Sequence, residues 1–273
     1  MVSPLTIAFC LFTLLVSLLL PVAVLIVFAA KHKKQGILSA WLLGAAGFFV
    51  TQILIRLPIL MVLQQQSWFV SFSQNHLFLY AFSLAFTAGL FELAGRFVVA
   101  KLLNRKNLNF NRSLSAGLGH GGIEAMVLIG MTYVNNLIYI VMINNGAFDG
   151  IIAQTAAMGV DTAQLELIRT QLVSASPALF LLAGFERILA MTAHAAMSMV
   201  VCYGVSHKKV LPCVLICLGI HTMIDLTAGL SLALPQSIAY PIIYAILIVV
   251  ALVSLLIIRN LLRSWQAPKE EIL

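Results

Sequence analysis

Seven stretches of this sequence run for about 20 residues or more with hardly a charge in them, at about 5–30, 37–63, 77–100, 114–143, 175–205, 210–230 and 237–258. A helix rising about 1.5 Å per residue needs about 20 apolar residues to cross a hydrocarbon core roughly 30 Å thick, so each stretch is long enough to span a membrane. The chain is 62% hydrophobic and 9% charged, against roughly 25% charged in a soluble domain, too few to clothe a water-soluble core. The expected fold is an all-α integral membrane protein of about seven transmembrane helices. Residues 1–273 read as a single transmembrane helical domain with its motif-bearing core at about 77–230.

The first apolar stretch lacks a basic leader and is longer than the roughly 7–15 residues of a signal peptide, so it reads as a retained helix. The net charge of +7 does not point to nucleic acid, because the basic residues form no single domain. They sit between the spans: Lys31, Lys33 and Lys34; Lys101, Arg105, Lys106 and Arg112; Lys208 and Lys209; Arg259, Arg263 and Lys269. With seven spans all four clusters fall on one face, and the positive-inside rule makes that face cytoplasmic, with the N-terminus outside and the C-terminus inside. Asp149, Asp161 and Glu166 lie in a loop of the opposite face, where Arg169 is the one basic residue. Cys10, Cys202, Cys213 and Cys217 lie in apolar segments without CxxC spacing, which speaks against a disulfide or a thiolate metal site.

The interruption at 144–174 has leucine and isoleucine at helical spacing near Leu165, Leu167, Ile168 and Leu172. It suits a short helix at the outer interface or a plain loop equally well. The tail QAPKEEIL reads as a disordered cytoplasmic end.

Ionisable residues in hydrocarbon cost a few kcal/mol or more each, so they face one another inside a bundle. Here they are numerous: Arg56; Glu92 and Arg96 in FELAGR; His120 and Glu124 in GHGGIEA; Glu186, Arg187 and His194 in FERILAMTAH; His221 and Asp225 in HTMID. Glu92 with Arg96, His120 with Glu124, and His221 with Asp225 are i, i+4 pairs, each on one helix face. Counted inward from the basic ends of their helices, Glu92, His120, Glu124, His194 and His221 lie about 9–17 Å deep. Four helices thus offer polar side chains at nearly one level.

Three histidines with carboxylates at one level suit metal-assisted hydrolysis. Zinc, the expected cofactor, takes imidazole nitrogen and carboxylate oxygen, leaves a position for water and makes that water acidic enough for a nearby base. The alternatives are structural hydrogen bonding and transport, although the interrupted helices and inverted repeat of a transporter are absent from the pattern. Gly117, Gly119, Gly121 and Gly122 permit a close approach to the fourth span, by a neighbouring helix or by a substrate backbone.

The four motifs, in this order on successive spans from about 88 to 226, resemble those of the YhfC-type intramembrane metalloproteases. That family is related to the PrsW proteases and, more distantly, to the CAAX-protease and bacteriocin-processing enzymes. The superfamily's first motif has two adjacent glutamates and a basic residue; Glu92 and Arg96 match it, but Phe91 stands in place of the first glutamate. In the second motif His120 stands where the superfamily has Phe, with Glu124 at the functional position; His194 matches the third, and His221 with Asp225 the fourth. The resemblance implies that Glu124, His194 and His221 bind metal or water. Glu92 is then the general base, held by Arg96, with His120 polarising the scissile carbonyl or adding a ligand and Asp225 orienting His221. Exchange of roles between Glu92 and Glu124 stays open, as does a metal-free glutamate–histidine mechanism.

The reading is therefore a multi-pass integral membrane peptidase, in the bacterial cytoplasmic membrane by resemblance. It would cleave a membrane-associated protein or peptide at a site in the cytoplasmic half of the bilayer. The alternative is a non-catalytic transporter or a resistance or immunity protein that binds an ion or ligand in the same polar core. The expected partners are that substrate and the lipid bilayer, without nucleic acid.

Overall fold

The computed structural model describes residues 1–266, apart from the side chains of residues 232 and 233. Lys269 and the rest of the tail lie outside the described residues. The seven expected spans are helices α1 (Pro4–Lys31), α2 (Ile37–Leu63), α4 (Leu77–Asn104), α5 (Phe110–Asn144), α8 (Pro177–Ser206), α9 (Val210–Ala233) and α10 (Gln236–Gln266). Between them lie α3 (Ser67–Asn75), α6 (Ala147–Ala157) and α7 (Ala163–Ser174). No strand occurs among the described residues. Of the two readings left open around Leu165–Leu172, a short helix and a plain loop, the structure has the helix, α7; α3 and α6 were not anticipated.

Packing divides the chain into two compact units, residues 1–22 with 125–188, and residues 23–124 with 189–273. In the first, α1 shows how a membrane helix is sorted. Its buried residues Thr6, Cys10, Thr13, Ser17 and Pro21 recur at spacings of 3 and 4, while Leu5, Leu11, Leu15 and Leu19 are exposed. Lipid is as apolar as leucine, so the small and weakly polar face is the one that packs. Its core joins Val2, Cys10, Tyr133, Ile140, Leu172 and Phe180. Thr13 Oγ1 donates to the Phe180 carbonyl at 2.5 Å, and Ile168 and Leu172 dock α7 against this core.

The second unit holds every sequence-predicted site residue. The inward stripe of α4 runs Ala85, Ala88, Gly89, Glu92, Gly95, Arg96, Val99, Leu103, so Glu92 and Arg96 belong to its packed face. The stretch of α8 within this unit is its inner helix, buried nearly all round from Met191 to Cys202. The glycines of α5 serve helix packing. A Cβ on Gly119 would collide with the Trp41 backbone of α2, one on Gly44 of α2 with the Ala116 backbone of α5, and one on Gly121 would come within 2.9 Å of His194 Cβ on α8. Helix α5 is thus held between α2 and α8 at backbone contact, which brings His120 between them.

Two stretches of these helices are wound as π-helix, Phe49–Arg56 in α2 and Ala125–Gly130 in α5. The first precedes Pro58, whose ring lacks an N–H and crowds the carbonyl four residues earlier. The wider turn, with the Leu57 N–H bonded to the Gln52 carbonyl, absorbs that crowding, and such bulges often mark functional sites.

The described residues of the four basic clusters lie on loops and helix ends that meet at one end of this unit. Asn111 Nδ2 lies 3.1 Å from His32 Nδ1 and donates to Gln35 Oε1 at 2.8 Å, joining the 31–35 and 105–112 loops. Trp265 packs edge-on against Phe110, Tyr203 and His207, joining the ends of α10 and α8 to the start of α5. Aromatic rings beside basic residues are typical of a membrane–water boundary.

The close crossings make a prediction. Gly119→Ala should destabilise the detergent-solubilised protein by about 1–3 kcal/mol or more, the cost of overpacking a dense core. Gly219→Ala, where nothing lies within 4 Å of the added carbon, should be neutral or stabilising. Thermal unfolding of both variants decides, and equal melting temperatures would remove the crossing argument.

Candidate active site

Everything at the site is arranged around one carboxylate. Glu92 is 4% exposed, and its Oε2 accepts from Arg96 Nη2 at 2.9 Å, His120 Nε2 at 2.9 Å and His221 Nε2 at 2.7 Å. Its Oε1 accepts from Gln52 Nε2 at 2.8 Å. An ionised carboxylate only accepts, and it has about four lone-pair positions. As a carboxylate Glu92 accepts four hydrogen bonds, three of them on Oε2, and both ring nitrogens that touch it carry hydrogens; a metal bound by His221 would take the place of the Nε2 hydrogen.

The state of His194 follows from the same logic. Arg96 Nη2 also lies 2.6 Å from His194 Nδ1, and a guanidinium can only donate. Nδ1 is therefore the ring nitrogen without a hydrogen, accepting from Arg96 and lying 3.6 Å from Glu92 Oε2. The ring hydrogen sits on Nε2, which is 2.8 Å from Glu124 Oε2. Glu124 thus meets His194 through the nitrogen that does not face Glu92.

His221 is built the same way. Its Nε2 faces Glu92 and its Nδ1 lies 3.4 Å from Asp225 Oδ2, a loose contact on the same helix. Each of these two histidines has a carboxylate behind it. His120 is 1% exposed, held by the edge of Phe48 at 5.2 Å between centroids and stacked on His194 at 5.4 Å.

All seven sequence-predicted residues, Glu92, Arg96, His120, Glu124, His194, His221 and Asp225, are therefore linked directly or through one neighbour. Glu186 and Arg187 pair with each other in the first unit. Sequence reasoning passed over Gln52, which holds Glu92 Oε1 and also donates to the Ala88 carbonyl at 3.2 Å. The signal was present, since Gln52 and Arg56 repeat the i, i+4 spacing of the other pairs, and Arg56 Nη1 lies 3.4 Å from Gln52 Oε1.

Glu92, His194 and His221 can each offer one ligand atom, all three within 4.8 Å of one another and all buried. One carboxylate oxygen with two imidazole nitrogens is a donor set that zinc takes in catalytic sites. The unprotonated Nδ1 of His194 suits this group. So do the carboxylates behind both histidines, which in metal sites fix the ring and raise its basicity. Glu124, which the motif places among the ligands, lies 2.8 Å from His194 Nε2.

The comparisons with known proteins agree with this chemistry. The chain is 27% identical over 194 residues to the uncharacterized membrane protein YhfC of Bacillus subtilis (strain 168), covering 71% of this chain and 73% of that one. No solved structure matches. The family model described as YhfC intramembrane metalloprotease matches residues 16–252, most of the chain, and the protein belongs to that family.

Proposed function

We propose that this protein is a metal-dependent intramembrane peptidase, zinc being the metal its donor set suits best. The observation that carries the reading is the buried Glu92–His194–His221 group, whose ligand atoms lie within 4.8 Å of one another on three helices of a membrane-spanning chain. A metal held by these residues would make a bound water nucleophilic and polarise a peptide carbonyl.

The roles follow from the contacts. Glu92 is buried, fixed by Gln52 and Arg96 and grouped with His194 and His221, so it suits an anchoring ligand better than the free general base expected from the motif. Glu124 and Asp225 orient His194 and His221 by the contacts behind each ring. His120 donates to Glu92 across 2.9 Å and, packed against Phe48, is the residue to which we assign proton transfer to the leaving amine. Arg96 supplies a fixed positive charge beside the reacting atoms, where charge develops in the transition state. Arg96 belongs to the Glu92 contact as well, so a substitution there would disturb both functions.

The basic end of the second unit supports a cytoplasmic face at that end. The site then lies about 9–17 Å in from the cytoplasm, within the hydrocarbon core. The substrate class is a membrane-embedded or membrane-delivered protein or peptide.

Two experiments test this. Mass spectrometry of new N-termini in membranes carrying the wild type should find cleavage products that fall at least about 100-fold with Glu92→Gln; identical product lists would reject the peptidase. Glu124→Gln and Asp225→Asn should each weaken metal affinity by about 10–100-fold, as for partners behind a ligand. Loss of all bound metal in Glu124→Gln alone would instead return Glu124 to the ligand set.

A further inference from the structure

A cavity of about 460 Å³ adjoins the site, bounded by α2, α4 and α9. Its volume falls in the range of about 300–1,000 Å³ typical of ligand pockets. Its walls are mostly small, with Ala85, Ala88 and Ala228 among them, and its polar groups include Arg56 and Asp225. On all three helices these residues lie beyond the site as counted from the basic end. Arg56 follows Gln52 by one turn, Ala88 precedes Glu92 by one turn, and Asp225 follows His221 by one turn. The cavity therefore lies beside the site, on the side away from the basic loops, and touches it at Asp225.

Arg56 is the feature that needs an explanation. It donates to the Leu84 carbonyl at 2.7 Å and lies 3.5 Å from Thr87 Oγ1 and 3.4 Å from Gln52 Oε1, all neutral acceptors. Among the described residues no carboxylate lies within 4 Å of it, and its Nε is buried without a partner. Asp225, across the cavity, is turned towards His221. A guanidinium within a membrane calls for an anion, and the described residues supply none at contact distance, Asp225 and Glu92 acting on it only through space.

We propose that the cavity is the substrate chamber and that Arg56 binds a carboxylate of the substrate peptide, a specificity-determining contact; this rests on the peptidase reading above. The guanidinium fork matches a carboxylate in two parallel hydrogen bonds. The small walls leave room for an extended backbone. Two hydrogen bonds, of 3.4 and 2.8 Å, and the Gln52 amide separate Arg56 from Glu92, a span of at most roughly two to three extended residues. The bond cleaved should therefore lie within about three residues of the carboxylate. That carboxylate is either the peptide's C-terminus or an acidic side chain.

Three dansyl-labelled probes separate these sources. They are Ala-Leu-Ala-Ala-Leu as the free acid, the same peptide amidated, and an amidated version with Glu in fourth position. Binding to the full chain in lipid nanodiscs is read by fluorescence anisotropy, and cleavage in the same samples by mass spectrometry. Wild type should bind at least one carboxylate-bearing probe at least tenfold more tightly than the plain amide, and the stronger one names the source. Arg56→Gln should abolish that preference and Arg56→Lys should keep part of it. Equal binding of all three probes to wild type, no binding of any, or a preference that survives Arg56→Gln would overturn the proposal. A loss of affinity equal for all probes in Arg56→Gln would also overturn it, as the mark of a role exercised only through Gln52. A preference without any cleavage would leave the Arg56 site standing and count against the peptidase; cleavage without preference would do the reverse.

Discussion

The second unit depends on satisfying one negative charge where water is scarce. An ionised carboxylate in such surroundings carries a desolvation penalty of several kcal/mol, recovered only when its lone pairs are met by well-placed donors. Glu92 meets that condition with donors from four other positions, Gln52 on α2, Arg96 one turn along α4, His120 on α5 and His221 on α9. His194 on α8 joins through Arg96. Five of the spans are thereby tied to one carboxylate, and removing any donor leaves a buried charge short of a partner. The contacts that organise these helices are also those of the candidate metal group, so assembly and chemistry rest on the same atoms.

The glycine stretch of α5 makes that convergence possible. His120 reaches Glu92 because α5 touches the backbone of α2 on one side and packs against α8 on the other, and a side chain at Gly119 or Gly121 would hold the helices apart. In a membrane, where apolar surface gives no drive to associate, such close packing and interhelical hydrogen bonds are what remain to bind helices together. Gly117–Gly122 read in the sequence equally as packing surface or substrate surface; contacts made by Gly117, Gly119 and Gly121 are packing ones.

The spans were legible because hydrocarbon thickness sets their length, and the polar level was legible because helical rise converts residue counts into depth. Helices α3 and α6 were not, since they are short and connect spans without a sustained apolar period. Spacing also fixes only the face of a helix, never its distance from another helix. His120 and Glu124 share a face, yet His120 meets Glu92 directly while Glu124 meets the far nitrogen of His194. The division of roles between Glu92 and Glu124 was therefore beyond the sequence. Gln52 was overlooked for a different reason: an amide carries no charge and stands out less in an apolar run than an arginine or a histidine.

The central claim is that this polar cluster is a metal centre, and metal content tests it most directly. Wild type, His194→Ala and His221→Ala would be purified in detergent without chelator, shown to be folded, and analysed by inductively coupled plasma mass spectrometry. The account predicts about one zinc per chain in the wild type, as for a single site with three protein ligands, and a loss of that metal in both variants. Wild type without metal, or metal retained by both variants, would contradict it.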